Sequence, residues 1–121
     1  DSWFFDQYYT ALPITQFKYV LEWWRAILSN LIYTPETFDC DDFAELFSVL
    51  LSACGYNASG KVVGELYHNN EFVDYHRWNL ILFVNQQGNL KLYEFEPQTA
   101  EILINHKSQD NFSYVGRWVI W

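Results

Sequence analysis

Cysteine, histidine and acid follow one another along this chain. Cys40 lies in the run Phe38-Asp39-Cys40-Asp41-Asp42-Phe43-Ala44, His76 heads an apolar stretch, and Glu96 comes further on. A thiol that attacks a carbonyl needs a thiolate, a base to take its proton and a third group to orient that base. A helix N-terminus favours the thiolate through its unpaired N–H groups and the positive end of its macrodipole. With Asp39 as N-cap, Cys40 takes the first helical position and its sulfur lies near those N–H groups, which lowers a thiol pKa. Asp41 and Asp42 act the other way, because adjacent negative charge disfavours a thiolate unless a protonated histidine or a bound cation compensates.

Three histidines are available for that role. His68, in Tyr67-His68-Asn69-Asn70, and His106, in a polar stretch, are expected on exposed connections. His76 opens the strand Arg77 to Val84, and period-two alternation sets it on one face with Trp78, Leu80, Leu82 and Val84. The orienting acid is expected from the next strand, Leu90 to Glu96, where Glu94 and Glu96 share a face. If residues 85–89 form a five-residue loop, Val84 pairs with Leu90, Trp78 with Glu96, and His76 with Gln98. Glu96 is then diagonal to His76 and within reach. A two-residue turn at Gln87-Gly88 would send the acid to the opposite face, so register decides the assignment. Glu94 would sit one pair nearer the turn, and Glu96 is preferred.

The elements that must hold these residues read as helices followed by strands. A short aromatic helix is predicted from Trp3 to about Thr10. A second starts at Pro13, a favoured first helical residue, and carries Ile14, Phe17, Val20, Leu21, Trp24, Ile27, Leu28 and Leu31 at helical spacing, a core stripe rather than a cofactor box. A third runs from about Asp41 to Cys54 with Phe43, Phe47, Leu50, Leu51 and Cys54 inward and Gly55 at C′. Strands are predicted at Val62 to Leu66, Arg77 to Val84, Leu90 to Glu96, Glu101 to Ile104 and Tyr114 to Trp121, with Gly88 in the turn before the third. Helices first and an antiparallel sheet after them define an α+β class. Two cysteines on one helix, fourteen residues apart, are separated by about 21 Å. A disulfide needs about 4.4 to 6.8 Å between Cα atoms, so both thiols are expected free, with Cys54 filling core space.

Composition narrows the partners. The 121 residues include 6 Trp, 9 Tyr and 10 Phe, so burial rests on large rings in a single domain. A net charge of −8, with seven Lys and Arg scattered along the chain, excludes a nucleic-acid footprint. Lys18, Glu22 and Arg25 interrupt the longest apolar stretch, so membrane insertion is not expected. No secretory signal is visible, and a chain that opens on Asp1 without any Met is expected to be processed or excised from a longer one; localisation is not readable.

Asp-Cys-Asp-Asp-Phe-Ala at 39–44, His-Arg-Trp-Asn at 76–79 and Glu-Pro-Gln-Thr at 96–99 resemble the papain-like and transglutaminase-like cysteine peptidases. Within that group, the likeness is to the small protease domains attached to agglutinins of the Marasmius oreades kind. It spans Cys40 to Thr99, about half the chain, and rests on the order and spacing of short motifs. It implies a compact papain-like fold over residues 1–121 and a Cys-His-Glu triad: Cys40 as nucleophile, His76 as general base and Glu96 as orienter. Gln98 or a backbone N–H near Cys40 is the implied oxyanion donor. Papain carries its oxyanion glutamine several residues before the nucleophile, where this chain has Tyr33, Thr34 and Glu36. The implied activity is hydrolysis of a peptide or other amide through a thioester, with no cofactor required for the chemistry.

The same resemblance brings in calcium as an activator, with Asp39, Asp41 and Asp42 as candidate ligands, since a hard cation would relieve the repulsion of clustered carboxylates. Against that stands helix capping, which by itself accounts for three acids at an N-terminus and is the stronger explanation. The alternative for the whole chain is a catalytically silent papain-like module within a larger assembly. Small size favours it, because papain-like enzymes usually carry a second lobe, and a catalytic domain of this size would complete its cleft with a partner domain or a second copy. A metal site from Cys40, His68 and His76 lacks close ligand spacing and ranks last.

Overall fold

The protein is described by a computed structural model covering residues 11–34 and 39–121. The helix expected from Trp3 to Thr10 lies outside the described residues. Within them, two helices pack on one face of a mainly antiparallel sheet, in keeping with the α+β expectation.

The sheet is built on a long hairpin. Strands β2 (Ser59–His68) and β3 (Glu71–Val84) pair antiparallel and are joined by Asn69-Asn70 alone, both at positive φ (51° and 66°). A two-residue hairpin turn needs left-handed residues at both central positions, and asparagine adopts them at low cost. The expected polar connection around His68 is therefore a tight turn, and His68 is the last residue of a strand. Likewise β3 does not begin at His76 but at Glu71. Phe72, Val73 and Tyr75 are exposed, so the tip of the hairpin is a ribbon wet on both sides, where no buried face imposes an apolar-polar alternation.

Strand β4 (Leu90–Glu96) returns along β3 through the five-residue loop 85–89, with Val84 opposite Leu90 as the loop-length argument requires. Asn85 organises the loop: its Oδ1 accepts the backbone N–H groups of Gln87 and Asn89 at 3.0 and 2.9 Å, and Gly88 takes φ 82°. The ladder ends at Asn79 opposite Phe95, so the expected pairs Trp78–Glu96 and His76–Gln98 do not form as ladder partners. Pro97, which has no N–H to donate, opens a turn into the short β5 (Glu101–Ile102). Strand β6 (Phe112–Ile120) pairs with β2, and the order is β5-β4-β3-β2-β6.

Pro13 does not start the second helix. Leu12–Pro13 forms β1, parallel to the end of β3 at Phe83 and Val84, on the edge that β2 leaves beyond its last pair, Ser59 with Ile81. A 3-10 turn at Ile14–Gln16 then leads into α1 (Phe17–Leu28). Of the expected stripe, Val20 and Trp24 are buried, with Phe17, Leu21, Ile27, Leu28 and Leu31 packed around them, while Ile14 is exposed. Helix α2 (Cys40–Ala53) buries Phe43, Ala44, Phe47 and Leu51 against Ile81, Phe83 and Phe95. Gly55 follows it at φ 93°, as a left-handed C′ residue should. Trp78, Val62, Leu103 and Tyr114 form a second, smaller core.

Candidate active site

The N-terminus of α2 is closed by a reciprocal capping box. Asp39 accepts the Asp41 N–H at 3.2 Å, and the Asp42 carboxylate accepts the Asp39 N–H at 3.0 Å. Cys40 is the first helical residue and is half-buried. Its Sγ lies 3.6 Å from Asp41 Oδ1, and the same oxygen is ion-paired with Arg77 Nε at 3.2 Å. Arg77 thus offsets one of the charges next to the thiol. The helix is fixed to β3 by Asn79, fully buried, whose Nδ2 donates to Ala44 O at 3.0 Å and Ser48 Oγ at 3.2 Å. A polar residue inside the apolar run Trp78-Asn79-Leu80-Ile81 is the sign of this tie in the sequence.

His76 meets Cys40 where β4 has ended. Beyond Asn79 the corresponding edge of β3 carries no strand partner from β4, and the imidazole there hydrogen-bonds the Glu96 carboxylate and lies close enough to Cys40 for the thiol to act on its protonation. Its Nε2 faces Glu96 Oε1, and Nδ1 is the ring nitrogen that Glu96 does not engage. The side chain is only 10% exposed. Burial on its own would push the imidazole pKa down, but the hydrogen bonds and charges of Cys40 and Glu96 outweigh it and raise the pKa from 6.5 to about 9.

Glu96 is 3% exposed, and each of its oxygens has partners. Oε1 also accepts the Tyr114 hydroxyl at 2.9 Å, and Oε2 accepts the backbone N–H of Gln98 at 3.1 Å. The following carbonyl, of Pro97, accepts Trp24 Nε1 at 2.7 Å, so α1 holds the turn that carries the acid. Glu94 is engaged elsewhere, with Trp78 Nε1 at 3.1 Å and His106 Nδ1 at 2.5 Å. The Trp78 indole stacks on His76 with ring centres 5.9 Å apart at 20°. Gly64, opposite His76 on β2, makes room for it: a Cβ there would lie 2.9 Å from Trp78 Cη2 and 2.0 Å from Val115 O.

The remaining candidates are placed as follows. Gln98 is half-buried in the turn after β4. Tyr33 stacks on Phe43 at 6.4 Å, and its pKa is raised by burial and by the neighbouring Cys40, Asp39, Asp74 and Asp41; Glu36 lies outside the described residues. His68 turns to Asp110 O at 3.1 Å and packs on Phe112. Cys54 is free and packs against the main core, where burial raises its pKa. Among the described residues no three His, Cys, Asp or Glu side chains form a group able to hold a metal. Asp39 and Asp42 form the helix cap, and Asp41 pairs with Arg77. A groove of about 660 Å³ lined by Leu80, Leu92, Glu94, Leu103, His106 and Trp118 is not lined by Cys40 or His76. No described helix is long and apolar enough to cross a membrane.

No protein-family model and no curated protein sequence matches the chain. Solved structures do. A Polyporus squamosus lectin, bound to a human-type influenza-binding epitope, aligns with a TM-score of 0.66 at 23% identity over 93% of this chain and 39% of its own. A PSL1a–E64 complex aligns at 0.54 and 23% identity over 80% of this chain and 36% of its own. A protein-glutaminase aligns at 0.60 and 14% identity over 93% of this chain and 72% of its own. The chain therefore spans well under half of the first two structures, and what it has in common with all three is a related fold.

Proposed function

We propose that this chain is a cysteine-dependent hydrolase of amide bonds, a peptidase or amidase with a papain-like fold, using Cys40, His76 and Glu96. One observation carries it: a single buried imidazole paired with a buried carboxylate and coupled electrostatically to a thiol at a helix N-terminus. An imidazole that keeps its proton to about pH 9 beside Cys40 is the counter-ion a thiolate needs. The fold is also that of a protein-glutaminase, a cysteine-dependent amidase, which is in keeping with this reading.

In the reaction the proton that His76 has taken from Cys40 stays on the imidazole, and the thiolate sulfur attacks the carbonyl carbon. The C=O electron pair moves to oxygen, and the resulting oxyanion is met by the Cys40 backbone N–H or the Gln98 side chain. Collapse expels the amine, which takes its proton from His76 and leaves a thioester. Water, deprotonated by His76, then releases the acid and the free thiol. Glu96 holds the Nε2–H tautomer and the imidazolium throughout. A partner domain or second copy completes the substrate cleft, and calcium takes no step in this chemistry.

The test is the pH dependence of iodoacetamide alkylation at Cys40, resolved from Cys54 by peptide mass spectrometry, in the wild type and in His76→Ala, with and without calcium. Rapid labelling well below pH 8 that requires His76 is expected. Slow labelling indifferent to His76 would leave a silent binding module as the better account.

A further inference from the structure

Three donors converge on Glu96, and one comes from a strand that contributes nothing else to the site. Tyr114, on β6, donates its hydroxyl to Oε1, the oxygen that faces His76 Nε2, while Gln98 N–H occupies Oε2. The tyrosine is held at three points: its N–H donates to His106 O at 2.8 Å, its ring meets Trp78 edge-on at 5.1 Å and 75°, and its hydroxyl reaches Glu96. Trp78 in turn stacks on His76, so Tyr114 touches both the carboxylate and the ring that flanks the imidazole.

From this geometry we infer that Tyr114 is a positioning residue of the thiol site, which turns Glu96 Oε1 toward His76 and holds it there; the inference rests on the function proposed above. A carboxylate that is 3% exposed has almost no water to hydrogen-bond, so the donors around it set its orientation. Gln98 N–H satisfies only the outer oxygen. Without the phenol, Oε1 keeps His76 alone, and a carboxylate free to turn away from the ring stabilises an imidazolium less well. Burial and the Glu96 charge raise the Tyr114 pKa, so the hydroxyl remains a donor across the neutral range. A purely structural Tyr114 would act through its ring, which Tyr114→Phe retains.

The experiment is the pH profile of Cys40 alkylation in the wild type, Tyr114→Phe, Glu96→Gln and the double variant, with thermal unfolding measured on each. The acidic midpoint is expected to rise by about one pH unit in Tyr114→Phe and the rate near pH 6 to fall about tenfold, the size of one hydrogen bond to a charged group. In the Glu96→Gln background, the same substitution should add nothing. If the Phe variant fails to fold, 3-fluorotyrosine at 114 keeps the ring and strengthens the donor, and the midpoint should move down instead. Wild-type labelling that ignores His76 removes the proposed function and this inference together. His76-dependent labelling with an unshifted Tyr114→Phe profile, or an equal shift in both backgrounds, overturns the inference alone.

Discussion

Replacing Glu96 with glutamine keeps the shape of the side chain and removes its charge, which makes it a sharp probe of the buried pair. In the wild type, burial lowers the His76 pKa and the bonds to Cys40 and Glu96 more than reverse that, carrying it from 6.5 to about 9. At about 1.36 kcal/mol per pKa unit the rise corresponds to roughly 3 kcal/mol. Since the folded pKa is the higher one, this stability is fully present below pH 6.5 and is lost as pH climbs through about 9. Wild-type unfolding midpoints should therefore fall over that window by on the order of 10 °C. Glu96→Gln leaves the burial penalty and the Cys40 contact, so His76 should titrate at least about one pH unit lower, and the stability curve should flatten. If its pKa went all the way to 6.5, the protonated fraction at pH 7.5 would drop from roughly 97% to roughly 9%. The assay is titration of the His76 ring resonances by NMR, alongside melts from pH 6 to 10. A variant whose His76 still titrates near 9 would refute the account of what holds the proton.

Other substitutions probe the scaffold. Gly64→Ala drives a Cβ against Val115 O and Trp78 and should destabilise by about 1–3 kcal/mol or more, with loss of the His76–Trp78 stack visible in the Trp fluorescence. Trp24→Phe leaves Pro97 O without its buried donor and should cost about 2–4 kcal/mol in urea melts, with weaker Cys40 labelling because the Glu96 turn loosens. Asp39→Ala removes the cap of α2 and should cost about 1 kcal/mol, whereas Asp39→Asn should sit near the wild type. Calcium at this end of α2 would have to displace the capping bonds and Arg77, so melting is expected to be equal in millimolar calcium and in chelator; a calcium-dependent rise would show Asp39, Asp41 and Asp42 acting as ligands.

How far the chain could be read in advance differed by element. Helix α2 was legible end to end, because its start is written in an Asp N-cap and acidic first turn, its face in Phe43, Phe47 and Leu51, and its stop in Gly55. The loop 85–89 was legible from its length and its glycine, and with it the Val84–Leu90 register. The start of α1 was misread: Pro13 suits a first helical turn, yet β3 had an open edge and Leu12 entered the core beside it, and burial overrode local preference. The tip of the β2–β3 hairpin was missed for the opposite reason, since a ribbon exposed on both faces leaves no hydrophobic period to find.

Residue type and order along the chain determined by themselves which groups are candidates for the proposed chemistry: a thiol at a helix start, an imidazole on a strand, and two acids on the strand that follows. Only the tertiary structure decided that Glu96 faces His76 while Glu94 turns to Trp78 and His106, because two acids on one strand face differ only in what the neighbouring strands bring to them. It also recruited Tyr114 and Asn79, whose roles come from contacts with residues far away in sequence. Local pattern reports the preferences of a segment, whereas the environment of a buried charge is set by distant segments meeting, and short-range spacing carries no record of that meeting.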